Sequence, residues 1–110
     1  MKDDRIHLNH ILECIQAILQ FTESGGKTFK ESKLIQDAVL RNLQTLGQSV
    51  SRLSDALRAA HPEVDWRGII GFRNVLVHDY LGINLTRVWE IVENELPGLR
   101  EKVTAILKTL

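Results

Sequence analysis

The chain has 110 residues, of which 44% are hydrophobic and 25% are charged, a composition typical of soluble globular proteins. This length predicts one domain over 1–110 and excludes two independent cores. The 14 Lys and Arg residues balance the 14 Asp and Glu residues, so the chain lacks the overall positive charge that drives non-specific nucleic-acid binding. Any contact with nucleic acid must therefore depend on a local patch.

Targeting signals are not expected. The segment MKDDRIHLNH has neither an apolar core nor a small-residue cleavage site, and no run of about 18 apolar residues follows. Cys14 is the single cysteine, so it cannot form an intrachain disulfide and is most simply a small buried residue. We therefore expect a cytoplasmic protein without a membrane segment.

The first half of the chain predicts two helices. Apolar residues spaced by three and four positions predict a first helix from Asp3 to about Thr22, and the two glycines at 25 and 26 predict the turn that follows. Thr28 and Glu31 match a capping box, which predicts that the second helix begins there. His61, which precedes a proline, ends it.

The second predicted helix carries an apolar seam with heptad-like spacing. Such a seam favours a nearly parallel or antiparallel partner helix, either within one bundle or across a dimer, and the spacing does not choose between them. Its members are Val39, Leu43, Leu46, Val50, Leu53 and Leu57.

The second half of the chain predicts two or three more helices. Asp65 can cap a third and Asn84 a fourth. At Pro97 the fourth helix either kinks or gives way to a fifth helix with proline in its first turn. With no alternating strand pattern, the sequence predicts an all-α fold, an up-and-down bundle of four to five helices.

The stretch GFRNVLVHDYLGIN, residues 71–84, concentrates polar chemistry on the third helix. Asn74 and His78 are four positions apart and share a face, whereas Arg73 is about 140° around the helix from His78. Either the long arginine side chain reaches round to the histidine, or a second subunit completes the site. The spacing leaves both possibilities open.

A histidine and an arginine together can support phosphodiester cleavage by a ribose 2'-hydroxyl without a metal. Histidine moves protons near neutral pH, and the arginine fork binds phosphate oxygens and stabilises their charge. Asn74 could orient His78 or a phosphate. The simpler interpretation is a histidine near a helix end and a surface salt link to Asp79.

Other candidate residues favour structural roles. His7 and His10 could hold a metal, but a solvated helix face is the better interpretation, because few carboxylates lie nearby in sequence. Trp66 and Trp89 favour packing over base stacking. Four arginines could add positive potential near the third helix or could be ordinary solvated surface: Arg41, Arg52, Arg58 and Arg67.

The segment RNVLVHDY resembles the signature of the HepT-like toxins, members of the HEPN superfamily of helical ribonucleases. Arg73, His78 and Tyr80 match that signature position by position, and Asn74 is the polar residue usual after the arginine. The resemblance extends to DDRIHLNHILECI, AVLRNLQTLGQSV, the DW before IIGFRN, and VWEIVENELPGL after it. It therefore covers nearly the whole chain. Gln48 departs from the pattern, since many relatives have a glutamate there.

The resemblance implies a HEPN-like helical homodimer that cleaves RNA without a metal or cofactor, with the two motifs close together between subunits. It also implies a toxin–antitoxin system whose partner is a MntA-like nucleotidyltransferase antitoxin, which neutralises the toxin by transferring AMP onto Tyr80. In the alternative hypothesis, which the Gln48 departure leaves room for, the chain is a non-catalytic helical dimer that presents Tyr80 to such a nucleotidyltransferase.

Overall fold

The computed structural model describes the backbone of residues 2–78 and 84–110, together with the side chains of 3–72 and 84–110. These residues form helices and connecting turns without any strand, which confirms the all-α prediction. The elements are α1 (Lys2–Phe21), α2 (Gly26–Glu31), α3 (Lys33–Ser51), α4 (Asp55–Ala60), α5 (Trp66–His78), α6 (Leu85–Glu90), a π-helical segment (Ile91–Glu95) and α7 (Leu96–Lys108).

The first helix agrees with its prediction. Its apolar face is fully buried at Leu8, Ile11, Ile15 and Ile18. The chain then turns at Gly25, whose φ of 92° lies in the left-handed region that favours glycine.

The predicted capping box of Thr28 and Glu31 was wrong. Both residues lie inside the short helix α2, and the Thr28 hydroxyl donates to the carbonyl of Ser24 instead of capping a helix start. The cap of the longer helix α3 is Ser32, whose side chain accepts the backbone N–H of Ile35 at 3.2 Å. The local pattern was right about a helix start in this region but assigned the wrong residue.

The prediction of one continuous helix as far as His61 was also wrong, because α3 ends at Ser51 and α4 begins after Ser54. Ser54 caps α4 by accepting the backbone N–H of Leu57 at 3.2 Å. The carboxylate of Asp4 accepts both the backbone N–H and the hydroxyl of Ser54, at 2.8 and 2.7 Å. The contact with Asp4 spans fifty positions of sequence, whereas the Ser54 cap is local and was missed because the apolar periodicity continues through it.

The apolar seam packs within the chain. All six of its members are at most 7% exposed, and α3, which carries most of them, packs against α1 and α5. The Asp4–Ser54 contact joins the start of α1 to the end of α3, so these two helices are antiparallel. Arg5 donates to the carbonyl of Leu110, which likewise sets α7 antiparallel to α1. The bundle is therefore up-and-down, as predicted.

The predicted caps of the later helices are confirmed. Asp65 accepts the backbone N–H of Gly68 at 3.0 Å at the start of α5, and Asn84 accepts that of Arg87 at 3.1 Å at the start of α6. None of the helices in the described ranges combines the length and the apolar character needed to cross a membrane.

The junction at Pro97 contains a π-helical turn. The Leu96 N–H donates to the carbonyl of Ile91, five residues earlier, and Pro97 then lies in the first turn of α7. In a regular α-helix the proline ring would clash with the carbonyl of Glu93, four residues before it, and a wider turn relieves this clash. The structure combines the two possibilities: Pro97 lies in the first turn of α7, but the π-helical segment joins α7 to α6 without a non-helical residue between them.

Candidate functional site

Helix α5 carries three of the four predicted site residues. Its backbone is continuously helical through Arg73, Asn74 and His78, and their side chains are not among those the structure describes. Tyr80 lies outside the described residues. The predicted helical register of the motif is therefore confirmed for the backbone from Arg73 to His78.

The beginning of α5 is held by two contacts. Asp65 caps the helix, and the indole Nε1 of the adjacent Trp66, which is only 6% exposed, donates to the carbonyl of His61 at 3.0 Å. A buried indole needs such an acceptor, and the carbonyl of the turn before the helix supplies it. These contacts fix the helix about two turns before Arg73, so the motif extends from an anchored element.

The backbone places Asn74 and His78 on the same helical row as two earlier residues of α5. On an α-helix, positions 67, 71, 74 and 78 follow one another along one face. The two earlier members of the row, Arg67 and Gly71, are exposed to solvent.

Arg73 continues a different row. Positions 66, 70 and 73 share a face, and along it Trp66 is buried while Ile70 is half-buried against the core. The backbone register therefore separates Arg73 from His78, as the sequence predicted. A single α5 helix does not place these two positions on the same face.

The four arginines that could add positive potential have different surroundings. Arg41 on α3, Arg52 immediately after α3 and Arg67 on α5 are exposed. Arg58 is half-buried and pairs with the exposed Asp55, its Nη2 lying 2.6 Å from the carboxylate oxygen. The charge of Arg58 is therefore balanced within α4, and three exposed cations remain as candidates for a positive surface.

The histidines of α1 form no metal cluster. The rings of His7 and His10 are in edge contact, with their centroids 6.3 Å apart, and the Nδ1 of His7 is buried without a hydrogen-bond partner. Among the described residues, no group of three or more His, Cys, Asp or Glu side chains could hold a metal ion.

His61 lies beside a carboxylate rather than in the motif. Its Nδ1 is 3.1 Å from the carboxylate of Glu63. The backbone N–H of Glu63 itself, followed by this contact with His61, lowers the pKa of the Glu63 carboxyl. The pair lies in the turn before α5, where it flanks the Trp66 anchor.

Trp89 and Cys14 have the packing roles that the sequence favoured. Trp89 stacks at a tilt on the buried Phe29, with ring centroids 5.5 Å apart, and its indole lies directly against Gly26. Cys14 is 6% exposed, and its burial, followed by the charge of Glu13, raises the pKa of the thiol. A thiol of raised pKa is a poor nucleophile at neutral pH.

Sequence reasoning missed a cavity of about 400 Å³ beside α5. Its walls come from α3, the first half of α5, the π-helical segment and the start of α7, and they include Phe72, the residue immediately before Arg73. No local pattern predicts such a cavity, because its lining is drawn from several separate stretches of sequence.

Comparison with known proteins defines the class of this helical bundle. Residues 11–106, which include the whole motif, match the family described as HepT-like, "Ribonuclease HepT-like". The chain therefore belongs to the HepT-like ribonuclease family. No solved structure matches it.

Three relatives illustrate the match. The chain is 36% identical over 99% of its length to a "Putative RNase" of Methanocaldococcus jannaschii, covering 91% of that protein. It is 31% identical over 93% of its length to the "Probable ribonuclease HepT" of Thermococcus cleftensis, covering 94% of it. A third relative, also from M. jannaschii, is named "Gamma-glutamylcyclotransferase and putative RNase"; the chain is 34% identical to it over 99% of its own length and spans half of that protein.

Proposed function

We propose that this chain is a metal-independent endoribonuclease and the toxin of a toxin–antitoxin system. The observation that carries the proposal is the motif Arg73, His78 and Tyr80 within a chain of the HepT-like ribonuclease family. The continuous helix from Arg73 to His78 supports it, because the motif then has a fixed backbone register. An enzyme that cleaves cellular RNA would act in the cytoplasm.

The proposed reaction needs only proton transfer and charge stabilisation. The ribose 2'-hydroxyl loses its proton and attacks the adjacent phosphorus, and the 5'-oxygen leaves and takes up a proton. The products are a 2',3'-cyclic phosphate and a 5'-hydroxyl end. His78 is the group that transfers protons, Arg73 stabilises the negative charge on the phosphorane, and Asn74 orients the histidine or the phosphate.

A homodimer would satisfy the geometry of this reaction. One α5 helix places Arg73 and His78 in different rows, so two such helices facing each other could bring the arginine of one subunit to the histidine of the other. Two histidines in one cleft could also divide the roles of base and acid. Pairing two motifs would also create a local positive groove, which a chain of neutral net charge needs in order to bind RNA.

We further propose that Tyr80 is the regulatory site, modified by a MntA-like nucleotidyltransferase antitoxin. The phenol oxygen would attack the α-phosphate of ATP, forming a phosphodiester to AMP and releasing pyrophosphate. Tyr80 is two residues from His78, so the attached phosphate would place bulk and negative charge where the RNA phosphate binds. Modification would therefore block the ribonuclease.

The test of catalysis is RNA cleavage by the purified chain in EDTA. We expect the unmodified chain to cleave, and His78→Ala to lose roughly 10²-fold or more of the rate with an unchanged circular dichroism spectrum. His10→Ala, which removes an exposed histidine from α1, is the matched control and should cleave like wild type. A His78→Ala chain as active as wild type would refute the proposal.

A second measurement separates the toxin from the alternative, for which the Gln48 departure leaves room. The chain is co-expressed with the nucleotidyltransferase and its intact mass is compared with that of Tyr80→Phe. Mass added in AMP steps to wild type alone, with cleavage restored when the adduct is removed, supports the toxin. AMP on Tyr80 without cleavage in any state supports a non-catalytic presentation subunit.

A further inference from the structure

The cavity beside α5 has the size and lining of a small-ligand pocket. Its volume of about 400 Å³ lies within the range of roughly 300–1,000 Å³ usual for such sites. Its floor is apolar and is formed mainly by α3, α5 and α7 through Leu43, Leu46, Ile69, Phe72 and Leu99. A ligand that fits this floor must present an apolar face.

The rim of the cavity is electrically balanced. Two cations, Arg87 and Lys102, and two carboxylates, Asp65 and Glu95, line it. Arg87 already pairs with Glu95 at 3.0 Å, and the Lys102 ammonium donates to the carbonyl of Glu63 at 2.9 Å. Because both cations have protein partners, the rim favours a neutral ligand over a phosphate.

Asn94 supplies a polar group that is able to form hydrogen bonds with such a ligand. It lines the cavity from the π-helical segment and is exposed, and in the part of the chain that the structure describes no hydrogen bond engages its amide. An amide offers a donor and an acceptor side by side, which is the pairing that a nucleobase edge accepts. Phe72, in the same cavity, offers an aromatic surface for the face of a base.

We propose that this cavity binds one nucleobase of the RNA substrate, next to the cleaved phosphodiester, with Phe72 against the base and Asn94 reading its edge. The inference rests on the proposed ribonuclease function, and Phe72 lies on α5, the helix that also carries Arg73 and His78. The apolar faces of a neutral base would pack on the apolar floor of the cavity, and its polar edge would hydrogen-bond at the rim. The cavity would then set the sequence preference of cleavage.

The binding test uses a short RNA whose 2'-hydroxyls are methylated, which removes the attacking group and prevents cleavage. The methyl resonances of Leu43, Ile69 and Ile91 should shift on addition of this RNA, and should not shift with analogues that lack the base at one particular position. Equal shifts with every abasic analogue, or no shifts at all, would overturn the proposal. Shifts that depend on protein concentration alone would instead assign the cavity to contact between two copies of the chain.

The activity test compares Asn94→Ala with Asn9→Ala, which removes an exposed asparagine that does not line this cavity. The ratio of kcat/KM between the best and worst base beside the cleavage point should shrink about tenfold in Asn94→Ala and remain unchanged in Asn9→Ala. An unchanged ratio in Asn94→Ala, with normal cleavage, would overturn the base pocket and leave the ribonuclease proposal intact. If the wild-type chain cleaves no RNA, the ribonuclease proposal fails, and the methyl shifts still decide whether the cavity binds a base.

Discussion

Replacing Asp4 with asparagine should destabilise the bundle far more than the equivalent change at the neighbouring Asp3. Asp4 is 4% exposed, and its two oxygens accept separate hydrogen bonds from Ser54 at 2.8 and 2.7 Å. Asparagine keeps one acceptor oxygen but loses the charge and replaces the second oxygen with a donor. Each hydrogen bond to a charged group stabilises the fold by about 1.5–3 kcal/mol. Asparagine avoids the free-energy cost of burying a charge, and this offsets part of the stability lost.

The net expected loss is about 2 kcal/mol, which corresponds to a fall in Tm of roughly 10 °C for a domain of this size. Asp3→Asn is the control, because Asp3 is exposed and belongs to the same first turn of α1. It should lose only the favourable interaction with the helix dipole, at most about 1 kcal/mol.

The effect of Asp4 should also depend on pH. Burial opposes ionisation of Asp4, but the two hydrogen bonds from Ser54, with smaller contributions from nearby positive charge, outweigh it and hold the pKa of the carboxyl below its ordinary value. A carboxyl whose pKa is lower in the folded than in the unfolded state stabilises the fold at neutral pH. That stability is lost as the pH falls through the folded-state pKa. The difference between wild type and Asp4→Asn should therefore be largest above about pH 5 and shrink below about pH 4.

Urea unfolding at pH 7 and at pH 3 measures both effects, and adding Ser54→Ala completes a double-mutant cycle. We expect a coupling free energy above about 0.5 kcal/mol between Asp4 and Ser54 at pH 7. Equal stabilities of Asp4→Asn and Asp3→Asn at pH 7 would refute the reasoning. A difference that stays constant from pH 7 to pH 3 would refute its electrostatic part.

Three further predictions concern the packing of α2 and the motif helix. Gly26→Ala should destabilise the chain by about 1–3 kcal/mol, because the added Cβ would lie 2.7 Å from the indole nitrogen of Trp89; an unchanged urea midpoint would contradict this. Gly71→Ala should raise stability by up to about 1 kcal/mol, because outside its own stretch of helix a Cβ there would meet no atom within 4 Å, and a lower Tm would count against it. Arg73→Lys should slow RNA cleavage in EDTA roughly 10²-fold, since lysine keeps the positive charge but lacks the planar guanidinium that binds two phosphate oxygens at once. Full activity of that variant would remove Arg73 from the proposed mechanism.

Two helix starts were predicted correctly from a local capping interaction. Asp65 and Asn84 each accept a backbone N–H three residues ahead, so a short stretch of sequence contains all the atoms involved. Thr28 matched the same pattern but lies within α2, and Ser32 is the residue that caps α3. A local rule identifies possible caps, and the tertiary arrangement selects among them.

Part of the candidate site was predictable from local sequence, and part was not. Arg73 and His78 belong to a contiguous motif, and the helix that carries them has the register its sequence predicts. The cavity that contains Phe72 and Asn94 had no counterpart in the sequence analysis, because its walls meet only after α3, α5 and α7 have packed. Local patterning contains no information about space enclosed between distant segments.

By itself, the sequence determined the helical class, the apolar faces and the motif, since these depend on interactions within a few residues. Only the tertiary structure decided what covers the apolar seam and which long-range contact accompanies the break in the long predicted helix. At that break Ser54 caps α4 locally, and the carboxylate of Asp4, fifty positions away, also accepts from Ser54. The seam has the periodicity of a dimer interface, yet it is buried within one chain because α1 and α5 pack against α3. Periodicity defines an apolar face, and only the packed chain supplies the surface that covers it.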